Sequence, residues 1–250
     1  MKRFFKPIFC AAIGIFVSIC PASATTTYQK ISAGTGFLIN RDGDVVTNAH
    51  VVKDCQSISV RTERGEEPAT LSTSDTDHDL AVVRLSRGNS GGSMAPLRWN
   101  IRDLKISDPV IVMGYPGKEG LQGRYMYKKT SVKDLTGPTG EPLWIQLGSV
   151  AQHGNSGGPV LDTTGNVIAV ISGMAMTYKA DAQGRPISAD PVGQSDVAIT
   201  LAALHDFLNQ NGIEYYEASS GLVAYSDQVI EQNSKSFILP VHCIQGTITQ

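Results

Sequence analysis

Three side chains in this sequence could together turn a hydroxyl into a nucleophile. Ser156 lies in His153-Gly154-Asn155-Ser156-Gly157-Gly158-Pro159-Val160-Leu161, a turn of small residues that runs into an apolar strand. A serine hydroxyl attacks poorly at its own pKa and needs a base for its proton and donors for the oxyanion it creates. Glycines suit such a turn, because they accept positive φ and let a carbonyl come close to backbone N–H groups. His50, in Thr47-Asn48-Ala49-His50-Val51-Val52, is the candidate base, and Asp79, in His78-Asp79-Leu80-Ala81-Val82, is the candidate carboxylate. A carboxylate fixes the imidazole tautomer and stabilises its charged form. Asp75 and Asp77 compete with Asp79 for that role, and the letters Gly-Asn-Ser-Gly-Gly occur a second time at Gly88 to Gly92.

The elements that must hold these residues read as strands. Long helical patterns are few, while short apolar runs between Gly, Asp, Asn and Pro are many, which predicts an all-β chain. Strands are expected at Ile31–Asn40 and Val45–Asn48, joined by the Asp42-Gly43 turn. Others are expected at Ser57–Thr62, Asp79–Leu85, Pro109–Gly114, Arg124–Val132, Leu143–Leu147, Pro159–Leu161, Val167–Ser172 and Val197–Ile199. One helix is convincing, Leu201–Asn211. Thr200 can cap it, Leu201, Leu204 and Leu208 mark an apolar face, and Gly212 stops it. His50, Asp79 and Ser156 each fall at a strand end or turn. The segment 214–250 reads as a tail, with one expected strand at Phe237–Val241.

Residues 1–24 read as a secretory signal peptide, with a basic start, an apolar stretch from Ile8 to Ile19 and an Ala22-Ser23-Ala24 cleavage site. The apolar stretch is short for a membrane span. Export to the periplasm or the exterior is therefore expected, with a mature start near Thr25. Losing Lys2, Arg3 and Lys6 takes 21 basic side chains to 18 against 23 acidic ones, so the formal charge moves from −2 to −5. A mildly acidic chain is a poor nucleic-acid binder. Removal of Cys10 and Cys20 leaves Cys55 and Cys243, which in an exported protein are expected to form one disulfide. The alternative is two buried thiols. No metal or cofactor is expected, because the five histidines show no ligand spacing with acids or cysteines.

Taken together, the motifs resemble those of the trypsin-like (chymotrypsin-fold) serine proteases, and most closely the bacterial HtrA/Deg type. The resemblance rests on Gly34-Thr35-Gly36-Phe37-Leu38-Ile39, Val46 to Val52, Asp79 to Val82, Val110 to Pro116, Gly154 to Val160 and Val197 to Ile199. It implies two antiparallel six-stranded β-barrels with a C-terminal helix. The first barrel, about 30–116, would carry His50 and Asp79; the second, about 122–200, would carry Ser156. Ser90 lies too close behind Asp79 for a second barrel to intervene, so the second copy of the motif is the nucleophile's. The Gly154 and Ser156 N–H groups would form the oxyanion hole, and protein or peptide substrates are the implied partners.

Two departures from that family matter. Many secreted relatives place an Asp before the serine to pair with a newly cleaved N-terminus; Asn155 cannot, so no activation of that kind is expected. The 214–250 tail is too short for the PDZ domain that HtrA proteins usually carry. By position relative to Ser156, the substrate pocket is expected to involve Ala151, His153 and Ser172-Gly173-Met174. No acid is evident at its base, which argues against a preference for Lys or Arg and favours a small or medium aliphatic residue before the scissile bond; His153 would instead favour an acidic one. Two rival classes remain at this point. One is a trypsin-fold binding protein with a non-productive oxyanion turn. The other is an esterase, whose Gly-x-Ser-x-Gly letters fit but whose Ser-before-Asp-before-His order does not.

Overall fold

The computed structural model describes residues 27–89, 92–100, 104–221 and 223–249. The expected leader 1–24 and Ser90 of the first Gly-Asn-Ser-Gly-Gly lie outside them. The chain runs β1 (Thr27–Leu38), β2 (Asp44–Thr47), α1 (Ala49–Val52), β3 (Ser57–Thr62), β4 (Gly65–Asp75), β5 (Leu80–Leu85) and β6 (Leu97–Arg98). Next come β7 (Pro109–Gly114), α2 (Gly117–Leu121), β8 (Met126–Asp134), β9 (Trp144–Gly148), β10 (Pro159–Leu161), β11 (Val167–Thr177) and β12 (Gly193–Thr200). It ends with α3 (Leu201–Gln210), β13 (Glu217–Ala218), α4 (Asp227–Ser234) and β14 (Ile238–Thr249).

The strands close into two barrels. The first follows the order β1-β14-β3-β4-β5-β2. The second follows β10-β7-β8-β9-β12-β11 and closes through β10–β11, with the short parallel strands β6 and β13 added outside β11. Closure leaves no free edge within either ring. Phe37, Val46, Leu80 and Val82 fill the first barrel, and Val112, Val132, Leu147 and Ile171 the second, all buried. Each such side chain contributes about 1.5–3 kcal/mol on leaving water. α3 forms as its pattern predicts: the Thr200 hydroxyl accepts from Ala203 N at 3.3 Å, and Leu201, Leu204, Phe207 and Leu208 are buried.

The segment set apart as a tail is structural. β14 pairs with β1 from Thr27↔Thr249 to Phe37↔Ile238 and with β3 from Val241↔Val60 to Ile244↔Ser57, so it is a wall of the first barrel. A first barrel confined to 30–116 would lack that strand, and α3 is not the last element. On the way, α4 fastens to β8: Tyr125 Oη donates to Glu231 at 2.7 Å and Lys129 Nζ to Asp227 at 3.1 Å. Cys55 and Cys243 are joined by a disulfide with their Cα atoms 5.3 Å apart. The bridge ties β14 to the chain just after α1, where Gln56 N also donates to Ile244 O at 2.7 Å.

Candidate active site

The site lies where α1, the start of β5, the β9–β10 connection and β11 meet. α1 is a single turn that lifts His50 out of the barrel: Ala49, Val51 and Val52 are buried, and the His50 side chain is 50% exposed. Its Nδ1 lies 2.9 Å from Asp79 Oδ2 and 3.0 Å from Oδ1, and its backbone N–H donates to Oδ1 at 3.0 Å. With Nδ1–H donated to the carboxylate, Nε2 is left as the basic nitrogen facing outward. Asp75 is not the orienting acid, because its Oδ2 meets His78 Nδ1 at 2.6 Å.

Asp79 adopts φ +54, a left-handed conformation rare outside glycine. Its carbonyl is held there by Asn48 Nδ2 at 2.8 Å and Ala49 N at 3.2 Å. Burial pushes its carboxyl pKa up. Donation from the His50 ring, the Ser172 hydroxyl and the His50 N–H outweighs that and holds it below the usual carboxylate value.

Ser156 is half-buried, and its Oγ donates to the Ser172 carbonyl at 3.2 Å. Among the described residues, no hydrogen bond joins Ser156 Oγ to His50. Ser172 links the two halves of the constellation, because its own hydroxyl donates to Asp79 Oδ2 at 2.5 Å. Sequence reading assigned Ser172 to a pocket wall and did not foresee this contact.

Four successive carbonyls of the glycine turn, from His153 to Ser156, are occupied. His153 O accepts from Gly117 N at 2.7 Å, Gly154 O from the Thr35 hydroxyl at 2.7 Å, and Asn155 O from Gly158 N at 2.8 Å. Thr35 N also donates to Ser156 O at 2.8 Å. Gly154 sits at φ +99 and Gly157 at φ +83; a Cβ on Gly157 would lie 2.2 Å from Thr35 O. The Gly154 and Ser156 N–H groups make no hydrogen bond among the described residues, so both are available to an acceptor from outside. Thr35 was visible only as a letter between two glycines.

Asn155 is fully buried, with Nδ2 3.6 Å from Met126 Sδ. Of the expected pocket residues, Ala151 is buried, Ser172 and Gly173 are half-buried, and His153 and Met174 are exposed. An acid absent from the sequence reading lies beside Ala151: the fully buried Asp196 of β12 accepts from Ala151 N at 2.7 Å and Val150 N at 2.8 Å. Those partners lie about 45 residues upstream, beyond the reach of any local sequence pattern. The only local signal is an acid set directly before Val-Ala-Ile.

A family model described as a trypsin-like peptidase domain matches residues 34–170. A Sinorhizobium fredii protein, y4bJ, is 34% identical over 89% of this chain and 35% of its own length. A probable periplasmic DegP-like serine endoprotease from Chlamydia pneumoniae is 34% identical over 55% of this chain and 28% of its own. The rat serine protease HTR4 is 27% identical over 80% of this chain and 45% of its own. The chain thus spans under half the length of these relatives. The structure of the HtrA-type protease AlgW with a decapeptide superposes with a TM-score of 0.55 at 21% identity, over 71% of this chain and 51% of that one, and so shares the fold. The chain belongs to the trypsin-like peptidase family, with the chymotrypsin fold and HtrA-type proteases as its relatives.

Proposed function

We propose that the protein is a serine endopeptidase acting on protein or peptide substrates. The observation that carries the reading is the glycine turn. Its four carbonyls from His153 to Ser156 are held by other groups, while the Gly154 and Ser156 N–H groups stay unpaired beside a hydroxyl and an Asp79-oriented imidazole. His50 Nε2 removes the Ser156 proton as Oγ attacks the peptide carbonyl, and the two N–H groups hold the oxyanion. The imidazolium then gives that proton to the departing amine, which leaves an acyl-enzyme. Water, giving a proton to His50, then attacks the acyl carbonyl; the acyl–Oγ bond breaks, the carboxylic acid product leaves, and Ser156 Oγ takes the proton back from the imidazolium. Asp79 stays ionised throughout.

The protein works as folded, without a new N-terminus, since Asn155 offers no carboxylate for one. The 1–24 segment directs it out of the cytoplasm to the periplasm or beyond, in keeping with the periplasmic designation of its DegP-like relatives. No described helix is long and apolar enough to cross a membrane.

One observation favours a second reading, a binding protein with an idle triad: Ser156 Oγ rests on the Ser172 carbonyl instead of His50. Fluorophosphonate labelling decides between them. Labelling of the wild type that disappears in Ser156→Ala, persists in Ser90→Ala and falls sharply in His50→Ala supports the peptidase. A folded wild-type protein that takes no label supports the binding reading.

A further inference from the structure

We propose that Asp196 forms the floor of the pocket for the residue before the scissile bond, and that the enzyme prefers lysine or arginine there. The inference deepens the peptidase reading and rests on it. Asp196 lies on β12, opposite Met174 of β11 and Leu147 of β9. Along β12 the inward positions are Asp196 and Ala198, both fully buried, while Ser195 turns away and bonds Gln146 Oε1 at 2.9 Å. Asp196 therefore belongs to the inner face that an apolar side chain would ordinarily fill.

Its surroundings are those of the expected pocket. Oδ2 accepts both N–H groups of Val150 and Ala151, the stretch that leads directly into the glycine turn. Across β11, its neighbour Met174 follows Ser172 and Gly173, and Ser172 is the residue whose carbonyl receives Ser156 Oγ. One acid thus touches the wall before the nucleophile and pairs with the wall behind it. β11 carries a register shift between Ile171 and Gly173, and a Cβ built on Gly173 would meet nothing within 4 Å. There is room for a side chain beside that strand.

The carboxylate is also incompletely satisfied. Oδ1 is buried with no hydrogen-bond partner, and among the described residues no Lys, Arg or His pairs with Asp196. Burial outweighs the two N–H bonds and raises its pKa, as expected for an acid awaiting a counter-charge. A guanidinium or ammonium brought in by the substrate supplies that charge and a donor for Oδ1 together. An aliphatic side chain supplies neither. This departs from the sequence reading, which favoured an aliphatic residue over Lys or Arg, and leaves the exposed His153 outside the pocket floor.

The test is a set of peptides alike except for Arg, Lys, Val or Leu before the scissile bond, cleaved by wild type and Asp196→Asn. The expected result is a kcat/KM ratio of Arg or Lys to Val above tenfold, collapsing toward one in the variant. A wild-type preference for Val or Leu overturns the proposal. So does a variant that slows every peptide alike, which would make Asp196 only a clamp on 150–151. A second measurement needs neither the variant nor turnover: calorimetric titration of Ser156→Ala with benzamidine, an aryl amidinium. Saturable binding displaced by the Arg peptide supports the pocket; no binding overturns it. Failure of the parent reading looks different, since wild-type protein would then take no fluorophosphonate while the benzamidine result still decides the pocket.

Discussion

Replacing Thr35 by valine should disable the glycine turn while leaving His50, Asp79 and Ser156 in place. The Thr35 hydroxyl is buried and does two jobs, donating to Gly154 O at 2.7 Å and accepting from Tyr115 N at 2.9 Å. Valine keeps the branched shape and strands both groups. A buried polar group left unpaired costs about 1–3 kcal/mol, so stranding two destabilises the undistorted turn by about 2–6 kcal/mol. Rotating the Gly154–Asn155 peptide to find another donor would recover about half of that on the same scale. The aligned turn then becomes the minor form by about 1–3 kcal/mol, roughly a fivefold to 150-fold loss of the competent state. Complete loss of one oxyanion donor would cost about 10²–10³ in kcat and sets the upper limit. The assay is the second-order rate of fluorophosphonate labelling at pH 7, with Thr35→Ser as the variant that restores the hydroxyl. The expected order is wild type, then serine, then valine slower by at least about fivefold. A valine variant that is less stable to urea but labels within threefold of wild type would refute the idea that this hydroxyl holds the turn.

Other substitutions test the surrounding contacts. Ser172→Ala removes a donor from Asp79, whose pKa is held below the usual value in the folded state. A depressed acid stabilises the fold above its unfolded pKa of about 3.9 and loses that contribution as pH falls through the lower folded value. The variant should be less stable by about 1.5–3 kcal/mol at pH 7, with its acid transition moved to higher pH. Urea melts should show the gap closing once Asp79 is protonated in both states; a gap constant with pH would contradict this. Cys243→Ser should cost about 2–4 kcal/mol in non-reducing urea melts, because the bridge closes a long loop and fixes β14 beside the chain leaving α1. Equal midpoints for wild type and variant would be evidence against that role. Gly157→Ala places a Cβ 2.2 Å from Thr35 O at φ +83, so a loss above about 3 kcal/mol or no folded protein is expected. A folded variant that labels normally would mean the turn rearranges more easily than its contacts imply.

What could be read from the letters depended on the range of the interaction that makes each feature. The β2–α1 junction, the glycine turn and the cap of α3 are local, and Thr47 to Val52, Gly154 to Gly158 and Thr200 announce them in sequence. The choice of Asp79 over Asp75 and Asp77 was legible only through the neighbouring apolar strand; the structure adds that Asp75 is committed to His78. Features made by distant pairing were not legible. β14 was visible only as Phe237–Val241, because its polar half, His242 to Thr249, becomes strand only when β1 and β3 flank it. Thr35, Ser172 and Asp196 are short polar residues in apolar strands, and pattern alone gives such residues no role. Each acquires one from a backbone group or carboxylate at least 45 residues away, at Gly154, Asp79, and Val150 with Ala151. A polar side chain that stays inside a closed barrel must be paired there or await a partner from outside. Thr35 has both of its bonds within the chain and so positions the turn. Asp196 has only one of its two oxygens satisfied, and its other partner is expected to come from the substrate.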